Sequence, residues 1–297
     1  MDIRFIESLI AVVNTGSIAA AARNQLLTPA AVSQRIKTLE ETLACQLLSR
    51  AGHAAKPTSA CLKIMPRLKH LLEEADALLG DLDETGLTGD LKVGAISTVL
   101  TGLMPSTIQS LAVSSANLNL QIFPGTSAHL YAQLMDKQLD VIIIVKPPFS
   151  CPKQLKSTPL YFEQLGFVCS VNNKLSLTES LLAKPYIQYE RSSWGGAIAD
   201  TYLVDNDIQI KSLCEIDALE SIALMAKRGM GVSLLPLWEG LNEVADNIKV
   251  IPITEEKYHR HITLISHRQA GKEPLINAFS ETIIQESKII AVDLPNL

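Results

Sequence analysis

The chain has 297 residues, 47% of them apolar and 19% charged, with a net charge of −5. That profile fits two or three globular units with sizeable cores, and it excludes a disordered or fibrous chain. No uninterrupted apolar stretch approaches the roughly 20 residues a membrane-spanning helix needs. The opening Met1-Asp-Ile-Arg-Phe-Ile-Glu7 is too acidic and amphipathic for a secretory signal. The five cysteines, at 45, 61, 151, 169 and 214, include no C-x-x-C pair. They read as scattered reduced thiols, so a cytoplasmic protein without disulfide, metal or other cofactor is expected. Charge is uneven: residues 1–60 hold six Lys/Arg against four Asp/Glu, net +2, which leaves −7 for the remainder. A basic head on an acidic body suits a phosphate-contacting module joined to a unit with another task.

Phe5, Leu9, Val12 and Val13 share one face of a first helix, which Asn14-Thr15-Gly16 closes. Ser17 then caps a second helix, whose alanines at 19–22 allow close helix packing. Thr28 is an N-cap and Pro29 suits the first position of a third helix, where its missing N–H is no loss. Val32, Ile36 and Leu39 recur at helical spacing and face a core. Thr28, Pro29, Ala30, Ser33, Gln34 and Lys37 are left to form an outward surface able to enter a DNA major groove. After Leu47-Leu-Ser-Arg50, the segment Ala51–Thr58 reads as a turn between two extended pieces, a wing. There Arg50 and Lys56 would contact phosphates, which positions a protein on DNA without specifying sequence.

Residues 59–88 read as one long helix. Ile64, Leu68, Leu71, Ala75, Leu78 and Leu82 follow a heptad seam that wants a partner helix, so dimerisation is expected over packing on its own chain. Pro66 would bend the first turns, and Gly86-Leu-Thr-Gly89 acts as a hinge.

From residue 90 strands and helices alternate. Strands are expected at 91–96, 118–123 and 139–145, with helices at 99–113 and 127–138 between them. That order implies a parallel sheet covered by helices. A second set follows, with strands at 164–171, 185–189, 208–215 and 232–235 and helices at 195–204 and 218–228. The strand at 262–266 and the helix at 274–287 return the chain to the first set. Two such lobes enclose a cleft, where open α/β sheets bind ligands.

The chain resembles the LysR-type transcriptional regulators over nearly its whole length. The specific part is Gly16-Ser-Ile-Ala-Ala-Ala21, Thr28-Pro-Ala-Ala-Val-Ser-Gln-Arg-Ile36, Leu39-Glu40, Leu47-Leu-Ser-Arg50, Thr58-x-Ala60 and Leu62. Looser matches are Leu91-x-Val-Gly94, Gly125, Leu139-Asp140 and Gly229-x-Gly231-Val-Ser-x-Leu-Pro236. The resemblance implies an α/β protein with an N-terminal winged helix-turn-helix (1–58), a linker and dimerisation helix with its hinge (59–89), and a two-lobed periplasmic-binding-protein-like effector domain (90–297). Lobe one would hold about 90–160 and 267–297, and lobe two about 161–266. It also implies a homodimer or homotetramer that binds double-stranded promoter DNA, bends it, and responds to a small-molecule effector. Leu48 stands where phenylalanine is usual, Cys61 where glycine commonly opens the linker helix, and Pro29-Ala30 where glutamine-proline is frequent. The last change removes an amide from the reading surface and leaves base contacts to Ser33, Gln34 and Thr28.

Candidate effector contacts lie at strand ends: Ser97-Thr98 and Thr126-Ser127 in lobe one, and Ser193-Trp194 in lobe two. Their hydroxyls and nearby helix N–H groups form an anion or polar-ligand cradle, and Trp194 stacks on the ligand. The same hydroxyls also suit plain N-capping, and Trp194 suits a place in lobe packing. Asp217-Ala-Leu-Glu220 fits a capping box, which leaves Asp217 beside the cleft. His259 and His261 share a strand face without a third metal ligand nearby. Two other classes remain, an enzyme and a solute-binding protein with an appended head. No G-x-S-x-G, H-E-x-x-H or phosphate-cradling loop favours the enzyme, and the basic head argues against a solute binder.

Overall fold

The computed structural model describes residues 2–51, 54–81, 87–115, 118–244, 246–268 and 272–293. The chain divides into two compact units, Met1–Gly86 and Leu87–Leu297. The linker helix therefore belongs to the head's unit.

In the first unit, helix α1 (Ile3–Thr15) ends at Gly16, whose φ of +67° is the left-handed cap expected there. Helix α2 (Ile18–Asn24) is capped by Ser17, whose hydroxyl accepts from Ala20 N–H, and buries Ala21 and Ala22. Helix α3 (Pro29–Thr42) starts as expected, with Thr28 Oγ1 accepting from Ala31 N–H at 3.2 Å and Pro29 in the first turn. Strands β1 (Leu48–Ala51) and β2 (Ala54–Pro57) form the antiparallel wing; its tip, residues 52–53, lies outside the described residues. Ile6, Leu9, Val12, Val32, Ile36 and Leu39 make the core. Leu48 and Cys61, two of the three departures from the family pattern, are buried in that core.

Helix α4 (Ser59–Asp81) carries Pro66 without a break. The heptad expectation needs correction in its first half. Cys61, Met65 and Leu68 are buried in the head core, with Ile64 and Leu72 packed against it. The seam is consumed by its own chain up to that point and emerges at Leu71, which is 44% exposed. The side chain of Leu78 lies outside the described residues, as do Leu82 and Gly86.

The second unit opens with β3 (Gly89–Ala95), α5 (Ser97–Thr101), α6 (Leu103–Ser114), β4 (Leu118–Pro124), α7 (Ser127–Met135) and β5 (Val141–Val145). Strand β3 pairs in parallel with β4 and β5. All five residues of β5 are buried, as a strand covered on both faces should be. The single helix expected over 99–113 is broken at Gly102 into α5 and α6.

Strand β6 (Leu155–Glu163) carries the chain out of lobe one. Lobe two then holds β7 (Leu165–Ser170), α8 (Leu177–Ala183), β8 (Pro185–Tyr189), α9 (Gly196–Asp205), β9 (Lys211–Ile216), α10 (Leu219–Lys227), β10 (Ser233–Pro236) and β11 (Ile248–Ile253). Strand β12 (Arg260–His267) and helix α11 (Glu273–Asp293) return to lobe one. The first sheet runs β4-β3-β5-β12-β6, with β12 antiparallel to both neighbours. Both β6 and β12 thus lie in lobe one, so lobe two spans about 164–259, not 161–266. Its strands are not uniformly parallel as expected: β10-β7-β11 is antiparallel, and the parallel pair β8-β9 joins it through a Tyr186–Val232 bridge.

Candidate DNA interface and candidate effector cleft

The outer face of α3 is polar and open. Thr28, Pro29, Ala30, Gln34 and Lys37 are exposed and Ser33 is half-buried. Gln34 Nε2 lies 3.4 Å from Thr38 Oγ1, and Lys37 makes a long 3.8 Å pair with Glu41, both exposed. Exposed pairs of this kind contribute little and yield readily to a competing acceptor. Two interactions hold the helix in place. Arg35 Nη1 donates to the buried Ser8 hydroxyl at 3.3 Å. Glu40 Oε1 accepts the N–H groups of Leu47 (2.7 Å) and Leu48 (3.0 Å), which ties the end of α3 to the wing. Lys56 is exposed on β2, opposite Ser49. Arg50 falls on β1, and its side chain lies outside the described residues.

In the second unit a cavity of about 380 Å³ opens between the lobes. Of the expected contacts, Ser97, Thr126, Ser127, Ser193, Trp194 and Asp217 line it. Thr98 does not: it is 1% exposed and its hydroxyl accepts from Arg260 Nη2 at 2.7 Å, behind the wall. Three of the lining hydroxyls are engaged with backbone. Thr126 caps α7 at His129 N–H. Ser127 accepts from Val145 N–H at 3.2 Å. Ser193 donates to Glu190 O at 2.8 Å and accepts from Gly196 N–H.

Trp194 of lobe two packs onto the lobe-one core, with its ring 6.0 Å from Tyr131 and 5.6 Å from Phe149. It is both cavity wall and lobe packing. On another flank, Trp238 Nε1 donates to Thr101 Oγ1 at 3.0 Å. A Cβ on Gly240 would stand 2.5 Å from Thr101 O, so this approach of the lobes requires glycine there.

The floor is the residue that sequence reasoning missed. Arg260, 3% exposed, lines the cavity and joins three parts of the fold. Its Nε donates to Glu163 at 2.6 Å in the exit strand, Nη2 to Thr98 in lobe one, and Nη1 to Tyr189 in lobe two at 3.2 Å. Burial pushes the Glu163 carboxyl up while the Arg260 guanidinium pulls it back. The signal was present: Arg260 shares the parity of Ile262 and Leu264 along β12, so period two turns it inward, where a charge demands a partner.

Asp217 is not the cap of α10. The helix begins after Ala218 with no side-chain cap, and Glu220 Oε1 lies 3.4 Å from Thr101 Oγ1 instead. Burial, then the neighbouring Glu190, pushes the Asp217 carboxyl above its usual range. His259 stacks on Phe162 at 4.7 Å with His261 on the same ring at 6.3 Å. No group of three metal-ligating side chains occurs among the described residues.

Residues 3–62 match the model of the bacterial regulatory helix-turn-helix proteins of the lysR family, and residues 84–288 match the LysR substrate binding domain. The chain belongs to the LysR-type transcriptional regulators, with a helix-turn-helix DNA-binding unit and an effector-binding domain. Among curated relatives, the HTH-type transcriptional regulator CzcR of Bacillus cereus is 26% identical over 237 residues, 80% of each chain. A probable RuBisCO transcriptional regulator of Phaeodactylum tricornutum is 23% identical over 93% of this chain and 94% of its own. The fold is shared with a full-length cysteine-to-aspartate variant of OxyR from Pseudomonas aeruginosa (TM-score 0.68, 21% identity, 98% of this chain and 96% of that one). It is also shared with CbnR in complex with its target DNA (TM-score 0.66, 16% identity, 96% and 100%). No single helix among the described residues is long and apolar enough to cross a membrane.

Proposed function

We propose that this regulator is a cytoplasmic homodimer or homotetramer. In this reading Thr28, Pro29, Ala30, Ser33, Gln34 and Lys37 enter the major groove, and Arg50 and Lys56 hold the flanking phosphates. The carrying observation is the outer face of α3, open and bearing one amide and one cation, on a helix braced from behind by Arg35 and Glu40. CbnR, which has the same fold, is in complex with its target DNA, and this supports duplex DNA as the partner. The effector is read as a small molecule in the interlobe cavity, touching Ser97, Trp194, Asp217, Glu220 and Arg260. Footprinting of Gln34→Ala on the DNA upstream of its own gene tests the reading face. Relaxed preference at one base position, worth about 1–3 kcal/mol, is expected. Equal loss on specific and random duplexes contradicts it.

A further inference from the structure

The first turn of α3 carries no polar side chain. It reads Pro29-Ala-Ala-Val32, of which Val32 is buried in the head core while Pro29 and Ala30 are exposed. Its backbone adds little. Proline has no N–H, and the N–H groups of Ala31 and Val32 bond to the hydroxyl and the carbonyl of Thr28, each at 3.2 Å. The Thr28 hydroxyl is therefore engaged as the helix cap. Polar side chains return only one turn later, at Ser33 and Gln34. A helix-turn-helix presents the N-terminal residues of its second helix to the base edges. The bases nearest the start of α3 thus face a proline ring and an alanine methyl.

We propose that this turn reads thymine through its 5-methyl group, with Pro29 and Ala30 as the specificity-determining contacts. This deepens the proposed function and rests on α3 entering the major groove. Thymine alone displays a methyl group there, and an alanine side chain suits it. The other groups on the base edges, purine N7, guanine O6 and the amino groups of adenine and cytosine, are polar. Pressed against Pro29 or Ala30, they lose water and gain no hydrogen-bond partner, which is costly. The same surface therefore attracts thymine and disfavours its competitors. With Pro29-Ala30 in place of glutamine-proline, readout at this turn passes from hydrogen bonding to apolar contact.

Selection from a random duplex library with the full-length protein yields its preferred site, and base analogues placed in that site test the proposal by fluorescence anisotropy. Uracil in place of thymine removes the methyl group and nothing else. Cytosine and 5-methylcytosine at the same position differ by that methyl on another base pair. At a thymine facing α3, uracil should weaken binding about fourfold, the effect of leaving one methyl-sized group unburied. There 5-methylcytosine should bind more tightly than cytosine by a similar factor. Pro29→Gln combined with Ala30→Ser should erase both differences. Lys56→Ala should weaken every duplex and leave both differences in place. A selected site without any uracil effect overturns methyl reading and leaves sequence reading by α3 standing. Differences that persist in the double variant overturn the assignment to Pro29 and Ala30. A library that yields no preferred site overturns the proposed function and the methyl reading with it.

Discussion

At the scale of single residues, Lys56 and Arg260 are the two cations whose surroundings assign them different work. Lys56 is exposed on the wing strand, and a phosphate contact there carries no base information. Lys56→Ala should weaken binding to every duplex by a similar factor and lower the slope of log K against log salt by about 1. Fluorescence anisotropy at several salt concentrations measures both. Arg260 is buried, and its loss strands Glu163 as an unpaired charge. Arg260→Ala should destabilise the effector domain by about 3–5 kcal/mol in urea unfolding, and Arg260→Met with Glu163→Gln should recover much of that. Similar stability for Arg260→Ala and the double variant would contradict the buried-pair account. Local sequence alone could not separate Asp217-Ala-Leu-Glu220 from Ser176-Leu-Thr-Glu179. Only the second is a capping box, because Ser176 and Glu179 meet reciprocally, whereas Glu220 lies toward Thr101 in the other lobe.

At the scale of elements, the head shows how tertiary contacts place what local signals start. The caps at Gly16, Ser17 and Thr28 were legible, because each depends on a few adjacent residues. The link between α3 and the wing was not legible, since it runs through the side chain of Glu40 to backbone seven and eight residues away. Glu40→Ala leaves the N–H groups of Leu47 and Leu48 without their acceptor. It should lower head stability by about 1–3 kcal/mol, seen in thermal unfolding of the full chain. In α4 the heptad count was sound, but it could not say which turns face the head. Leu68 proves buried there and Leu71 emerges. Leu71→Asp is therefore expected to yield monomers by light scattering, whereas Leu68→Asp should unfold the head. An unchanged oligomer in Leu71→Asp would refute a seam through that position. Two strands escaped the sequence pattern for one reason. Strands β6 and β11 contain Pro159 and Pro252, and each lies at a sheet edge, where a missing N–H leaves no ladder partner unpaired.

At the scale of the molecule, the order of head, long helix and two α/β lobes was legible because it rests on composition, periodicity and the alternation of strand and helix. The extent of lobe two was not, because strand β6 was not anticipated, and it is pairing with β12, about a hundred residues downstream, that holds both in lobe one. Arg260's inward turn could be read from period two, but its partners could not, because Thr98, Glu163 and Tyr189 meet it only after both lobes form. The molecule joins a basic reading head to an effector domain with a cavity between its lobes. In the proposed function the head reads DNA sequence. The most direct test is the ratio of affinities of the full-length protein for the duplex upstream of its own gene and for a scrambled duplex of the same length. Measured by anisotropy as salt rises, both affinities should fall with salt while the upstream duplex keeps an advantage of about 10³-fold or more. Equal affinities for the two duplexes at every salt concentration would contradict the account.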